Sequence, residues 1–262
     1  MAITAEAKQQ ITDYLLSAEK ERREVVKVTD QHPEMTIVEA YEIQDLLIAR
    51  KEAEGERRIG VKLGLTSKPK QQMMGVHEAI YGYLTDGMLG LEWEPIAYDR
   101  FIHPKAEPEI AFFIGEDLQG TNITGADVLK ATKYVAPAIE IIDSRYLNFK
   151  FTLVDVVADN CSSTCFVVGN KLVPPSELDL ANVGVVMSKN GVVLATGAGA
   201  AVLGHPAEAV AWAVNKLGEV GKGLKKGDIV LSGALTEAFA FEPGDTIQVQ
   251  SDILGSVSFA CR

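Results

Sequence analysis

From Ala5 to about Glu21 the apolar residues Ile11, Tyr14, Leu15 and Ala18 recur three and four positions apart. That is the period of one helix face, and it predicts a first helix. A second is predicted over "TIVEAYEIQDLLIARKEAEGE", where Thr36 and Glu39 have capping-box spacing and Ile37, Tyr41, Ile43, Leu46 and Leu47 supply an apolar side up to Gly55. After Arg58 the pattern changes to "IGVKLGLTS", whose alternation and two glycines predict a strand with Lys62 in its middle. "SKPKQQMMGVHEAIYGYLTDGM" reads as a short helix and loop punctuated by Gly75, Gly82 and Gly87, a segment with the character of a flap. Beyond about residue 90 strand patterns dominate: Ile110 to Ile114, Ala138 to Ile142, Cys165 to Val168, Val183 to Met187, Val192 to Thr196, Ile229 to Ser232 and Thr246 to Val249. The Asn-Gly of "SKNGVV" marks a tight hairpin. Helices interrupt the strands at Ala126 to Tyr134 and in "HPAEAVAWAVNKLGEVG", where Pro206 suits a first turn.

Hairpins mixed with helices predict an α+β fold, with a helical N-terminal region over residues 1–90 that includes the Lys62 strand and the flap. A β-rich catalytic domain follows over residues 91–262. No internal repeat or low-complexity linker marks the boundary, which is a shift in composition.

Composition narrows the function classes. The chain has 262 residues, 47% hydrophobic and 23% charged, with a net charge of −11. Such a balance opposes a surface that displaces counterions from phosphates, so no nucleic-acid partner is expected. No stretch has the apolar length of a membrane span or a signal peptide, so no membrane partner is expected and the cytoplasm is the expected location. The three cysteines, Cys161, Cys165 and Cys261, cannot all pair and lack zinc-finger spacing; they read as reduced thiols.

The candidate chemistry begins at "KAEPEIAFF", Lys105 to Phe113. In a strand, residues two apart share a face, so Glu107 and Glu109 stand side by side and repel unless a cation lies between them. Glu140 in "VAPAIEIIDSRY" is flanked by Ile139, Ile141 and Ile142, where a charge is buried unless it is paired or bound to metal. Three carboxylates are the hard oxygen donors that Mg2+ or Mn2+ requires. A solvated ExE face is the alternative. Lys62 is either an edge residue or faces a site that wants positive charge. No Ser-His-Asp order, GxSxG or phosphate-binding loop is present. Of the four histidines, three read as caps or packing residues. His77 is the exception, because a flap residue can enter a site on closure.

The ordered motifs "GVKLGLTS", "IYGYLTD", "HPKAEPEIAF", "AIEIIDSRY", "VVADNCSS", "GAGAAVLGHP", "GDIVLSGAL" and "LGSVSF" resemble the hydratase and decarboxylase branch of the fumarylacetoacetate hydrolase superfamily, from about residue 25 to the end. The resemblance implies a mixed β-roll like the C-terminal domain of fumarylacetoacetase, with flanking helices. It also implies metal ligands at Glu107, Glu109 and Glu140 and an active-site lysine at Lys62. Hydratases of the branch read "PDFG" where this chain has "AIYG", Ala79 to Gly82, and "SRYLNFKF" likewise resembles the decarboxylases. The implied reaction is metal-dependent loss of CO2 from 2-oxohex-3-enedioate to give 2-hydroxypenta-2,4-dienoate, in the meta-cleavage degradation of aromatic compounds.

Cys161 and Cys165 depart from the family, which has Ala and often Arg there. Arg145 and Lys150 are the expected substitutes for a basic substrate contact, and Ser162 is expected to hydrogen-bond a substrate carboxylate. The implied partners are a small dicarboxylate, further copies of the chain, and the 2-hydroxypentadienoate hydratase that decarboxylases of this kind often accompany. The competing readings are a hydratase, an acylpyruvate hydrolase, whose flap acid-base pair is matched only by the adjacent His77 and Glu78, and a noncatalytic binding subunit of the same fold.

Overall fold

Helix Ala5–Glu21 begins where Thr4, in extended conformation, accepts the Ala7 N–H, and it ends at Arg22, which turns left-handed at φ 52. This computed structural model describes residues 3–262. Helix Ile37–Ala53 carries the predicted capping box, with Thr36 and Glu39 satisfying each other's backbone donors. The Ile3 N–H reaches Glu39 Oε1 at 2.8 Å and ties the chain's start to this helix. The two helices pack through Ile11, Leu15 and Ala18 on one side and Ala40, Ile43, Leu47 and Ile48 on the other, all buried. Helix Pro206–Gly218 opens with Pro206 in its first turn and with His205 Nδ1 accepting the Ala207 N–H at 3.0 Å, so His205 is a cap.

An eight-stranded mixed sheet forms the centre. Its order is Ile80–Thr85, Arg58–Gly64, Ile229–Leu231, Lys105–Ile114, Thr132–Ile142, Ser163–Val168, Leu89–Gly90, with Phe239–Ala240 pairing the start of Lys105–Ile114. The two longest strands, Lys105–Ile114 and Thr132–Ile142, are antiparallel neighbours, and their register sets Glu107 opposite Glu140 and Lys105 opposite Ile142. A four-stranded sheet, in the order Gly255–Ala260, Thr246–Ser251, Gly184–Lys189, Val192–Ala198, lies against Thr132–Ile142. The α+β class and the Asn190-Gly191 hairpin are as the sequence predicts.

Two expectations change. The stretch read as helix and loop holds helix Lys68–Met74 and then a strand, Ile80–Thr85, buried along its whole length and antiparallel to Arg58–Gly64. Burial on both faces removes the polar-apolar alternation that marks a strand. Gly82 is needed there because a Cβ would lie 2.7 Å from the Asn160 carbonyl oxygen. The helix expected to reach Tyr134 ends at Ala131, and Thr132, Tyr134 and Val135 enter the long central strand, whose extended form suits β-branched and aromatic residues. Arg58–Gly64 and Ile80–Thr85, which fall in the first 90 residues, belong to the same sheet as the later strands.

Candidate metal centre and adjoining cavity

Alternation puts Glu107 and Glu109 on one face of their strand, and the register brings Glu140 across from Glu107. One carboxylate oxygen from each of the three lies within 4.8 Å of the others. Glu109 and Glu140 are fully buried and Glu107 nearly so. Each is only partly supported by the protein. Glu140 Oε1 accepts the Ser163 hydroxyl at 3.0 Å, and Lys62 Nζ stands 3.0 Å from Glu140 Oε2 as an ion pair without the alignment of a hydrogen bond. Glu109 Oε2 accepts the Gly233 N–H at 2.6 Å, and Glu107 Oε1 accepts Lys70 Nζ at 2.9 Å. Gly233 sits at φ +107, where a Cβ would strike Thr66 Oγ1 at 2.0 Å, so only glycine can bring its N–H to Glu109.

Three carboxylates against two lysines leave the cluster formally negative. Burial, and the repulsion of Glu140 and Glu107, push the Glu109 carboxyl well above the usual range; burial pushes Glu140 up as well, against the pull of Lys62. Burial works against the Lys62 ammonium, yet Glu140 and the other carboxylates hold it above its ordinary value. Glu109 Oε1 and Glu140 Oε2 are buried with no hydrogen-bond donor among the described residues. Convergent, unsatisfied carboxylate oxygens fit a hard divalent cation, which takes oxygen ligands and relieves their repulsion.

A cavity of about 300 Å³ opens from this cluster, lined by Lys62, Lys70, Lys105, Thr66, Ile80, Glu107, Ile142, Phe149, Phe151, Val156, Ser162 and Glu237 among others. Ser162 belongs to a turn in which Asn160, Cys161 and Ser162 are all left-handed, at φ 46, 54 and 58. Such backbone costs about 1–2 kcal/mol per residue. It is held because the Asn160 amide clamps Tyr83, accepting its N–H at 2.8 Å and donating to its carbonyl at 2.9 Å. The turn aims the Cys161 carbonyl at Lys62 Nζ, 3.2 Å away, and leaves the buried Ser162 hydroxyl without a partner among the described residues.

The other expected site residues fall elsewhere. Lys150 is exposed and off the cavity wall, which its neighbours Phe149 and Phe151 line instead. His77 is exposed on the loop between helix Lys68–Met74 and strand Ile80–Thr85, outside the cavity lining. Arg145 is buried and heavily engaged: Nε donates to Asp159 Oδ1 at 2.5 Å, Nη1 to the Asp143 carbonyl and Thr164 Oγ1, and Nη2 to the Asp159 carbonyl. Burial pushes the Asp159 carboxyl up to about 6, against the pull of Arg145. Four of the five N–H groups of this guanidinium are thus taken within the fold, its charge is paired with Asp159, and it does not line the cavity. Cys161 and Cys165 are buried, and burial pushes their thiols up to about 12 and about 11, so both stay protonated and unreactive. Two cavity residues escaped the sequence reading, Lys70 and Lys105. Lys105 shares the alternation of Glu107 and Glu109, whereas nothing in the flap sequence singles out Lys70.

Comparison with known proteins adds an independent line. A family model described as fumarylacetoacetate (FAA) hydrolase C-terminal matches residues 61–260. The chain is 44% identical over 248 residues to a 4-oxalocrotonate decarboxylase of Pseudomonas sp. (strain CF600), covering 95% of this chain and 94% of that one. It is also 44% identical over 246 residues to a 2-hydroxyhexa-2,4-dienoate hydratase of Comamonas testosteroni, covering 93% of each. Among solved structures it superposes with a TM-score of 0.97, at 42% identity and 99% coverage of both chains, on the 4-oxalocrotonate decarboxylase from Pseudomonas putida G7 complexed with magnesium and adipate. No helix of the described residues is long and apolar enough to cross a membrane.

Proposed function

The chain belongs to the fumarylacetoacetate hydrolase family, and from that premise we propose that it removes CO2 from 2-oxohex-3-enedioate to give 2-hydroxypenta-2,4-dienoate. Overall identity is the same to a decarboxylase and to a hydratase, so the decision rests on the site. The observation that carries it is Ile80. Hydratases of the branch have an aspartate at this place in their "PDFG", and here an aliphatic side chain lines the cavity beside Lys62. Adding water to a dienol needs an acid and a base around the alkene. Losing CO2 needs a sink for an electron pair and a dry wall.

Glu107, Glu109 and Glu140 would hold a divalent cation, and Mg2+ is the ion we assign on the likeness to the magnesium-bound relative, with Mn2+ as the close substitute. When bound it would supply Lewis acidity that stabilises the negative charge developing on the keto acid. The C5–C6 bond breaks, C6 leaves as CO2, and the electron pair moves through the alkene to the C2 oxygen. Lys62, a buried ammonium 3.0 Å from Glu140 that also lines the cavity, delivers the proton that completes the enol. Glu140 keeps that ammonium charged and oriented between bond-making events. The Ser162 hydroxyl, unpartnered and facing the cavity, donates to the C1 carboxylate. Ile80, Ile142, Phe149, Phe151 and Val156 exclude water, so the neutral CO2 leaves into an apolar wall while the departing carboxylate has little solvation to lose.

Following ultraviolet absorbance and CO2 release first with 2-oxohex-3-enedioate and then with 2-hydroxypenta-2,4-dienoate tests the reading. CO2 from the first without hydration of the second is the expected result. Hydration of the second without CO2 from the first makes the protein a hydratase, and neither reaction in a protein that binds Mn2+ makes it a binding subunit. Three free cysteines suit a reducing cytoplasm, where we place the enzyme. We place it there as a homo-oligomer that docks with the hydratase acting on its product.

A further inference from the structure

Alternation gives Lys105 the same strand face as Glu107 and Glu109, and the register makes Lys105 and Ile142 the next rung outward from Glu107 and Glu140 on that face. With a rise near 3.3 Å per residue, Lys105 is displaced about 7 Å from Glu107 along the strand. That is of the order of the reach between the two carboxyl groups of a six-carbon diacid. The cavity runs over both rungs, since Glu107, Lys105 and Ile142 all line it.

The three cavity lysines differ in what already holds them. Lys62 is paired with Glu140 and Lys70 with Glu107, but Lys105 has no acidic partner within ion-pair distance among the described residues. Its Nζ lies 4.3 Å from the Phe149 ring centroid instead, which restrains an ammonium without neutralising it. That ring is deliberately placed. Phe149 sits at φ 58, a backbone region that an aromatic residue enters only when the surroundings impose it. The turn is imposed by the Val25 carbonyl accepting the Leu147 N–H at 2.9 Å and Glu24 Oε1 accepting the Asn148 N–H at 2.7 Å, and His103 backs the ring at 4.9 Å.

We propose that Lys105 is the specificity-determining residue that receives the far carboxylate of the substrate, the one that leaves as CO2. The assignment rests on the metal and decarboxylase reading above. It explains how one strand serves both ends of the molecule: its two glutamates hold the cation that engages the keto acid, and its lysine meets the diacid's other end. Because the departing carboxylate becomes neutral CO2, the ion pair is stronger in the bound substrate than in the transition state, so Lys105 acts on binding and selectivity more than on turnover.

The test is calorimetric titration of the Mn2+-loaded protein with the saturated six-carbon diacid and with the six-carbon monoacid, in wild type, Lys105→Gln, Lys105→Met and Lys105→Arg. A lost charged contact of this kind corresponds to about 10- to 100-fold in Kd. Wild type and Lys105→Arg are expected to prefer the diacid by at least about tenfold. Lys105→Gln and Lys105→Met should lower the preference to within about twofold while Mn2+ affinity is kept; two neutral replacements are used so that a variant without a cooperative melt can be set aside. A preference kept by either folded neutral variant overturns the assignment of Lys105 alone. Wild-type protein that takes up no Mn2+ overturns the metal reading, and the assignment falls with it.

Discussion

Replacing Glu109 with glutamine removes the least compensated charge in the metal-free protein, and it should stabilise the fold while destroying the site. Glu109 is fully buried, Oε2 is satisfied by the Gly233 N–H, and Oε1 has no donor among the described residues. Its neighbours Glu140 and Glu107 repel it, and Lys62 is the cation that offsets them. A glutamine keeps an acceptor for Gly233 and turns the other oxygen into an amide that donates to an adjacent carboxylate. A buried unsatisfied acceptor costs about 1–3 kcal/mol. For a chain of this size 1 kcal/mol moves Tm by about 2–4 °C, so Glu109→Gln should melt about 2–12 °C above wild type in chelator at pH 8. The sign with pH follows from the direction of the shift. The folded carboxyl binds its proton more tightly than the unfolded one, so wild-type stability falls as pH rises from the ordinary value of 4.5 through the raised one, and the variant's advantage grows over that window. Adding Mg2+ or Mn2+ at about 100 Kd should give wild type about 2.7 kcal/mol and the variant almost nothing, so the order of the two melting curves closes or reverses. Scanning calorimetry of both proteins at pH 5.5 and 8, with chelator and with metal, reads all eight melting points. A variant that melts below wild type in chelator at pH 8, or that gains as much from metal, refutes the reasoning.

Lys62→Met should lower kcat by about 10²–10⁴, the usual weight of a positioned proton donor, with Mn2+ affinity unchanged or tightened by the loss of a competing cation; a defect confined to metal binding in titration calorimetry would make Lys62 structural. Arg145→Ala breaks a buried ion pair and should cost about 3–5 kcal/mol, read as a Tm lower by about 6–20 °C, whereas a tenfold rise in KM at unchanged Tm would return Arg145 to the substrate. Ile80→Asp puts an acid where the hydratases of the branch have one, so CO2 release should drop by at least about tenfold and hydration of 2-hydroxypenta-2,4-dienoate should become measurable, since positioned acid-base groups contribute about 10²–10⁴. Unaltered CO2 release in that variant would remove Ile80 as the discriminator.

What the sequence displayed is what strand and helix periods repeat locally. Glu107 and Glu109 share a face by spacing alone, Glu140 announces itself as a charge among isoleucines, and Lys62 as a charge in a short apolar strand. That Glu107 and Glu140 meet was legible only through the family resemblance and not from spacing, because it depends on the register between two strands. The Ile80–Thr85 strand hid behind burial on both faces, and the Ser162 turn is left-handed without a single glycine to signal it. Which basic residue is left for a ligand was hidden for a sharper reason. Arg145 and Lys105 are both basic residues beside the site in sequence, and although alternation puts Lys105 on the face of Glu107 and Glu109, it does not show which of the two cations the fold has already paired. The distinction lies in their counter-ions: Asp159, fourteen residues away, consumes the Arg145 guanidinium, while Lys105 meets only the ring of Phe149. A charge already matched in the fold contributes specificity and stability to the fold, and one held in place but left unmatched is available to a ligand. Lys105 therefore follows from the same logic as the glutamate cluster, where three carboxylates meet only two lysines: in both places the chain leaves charge that it does not itself match.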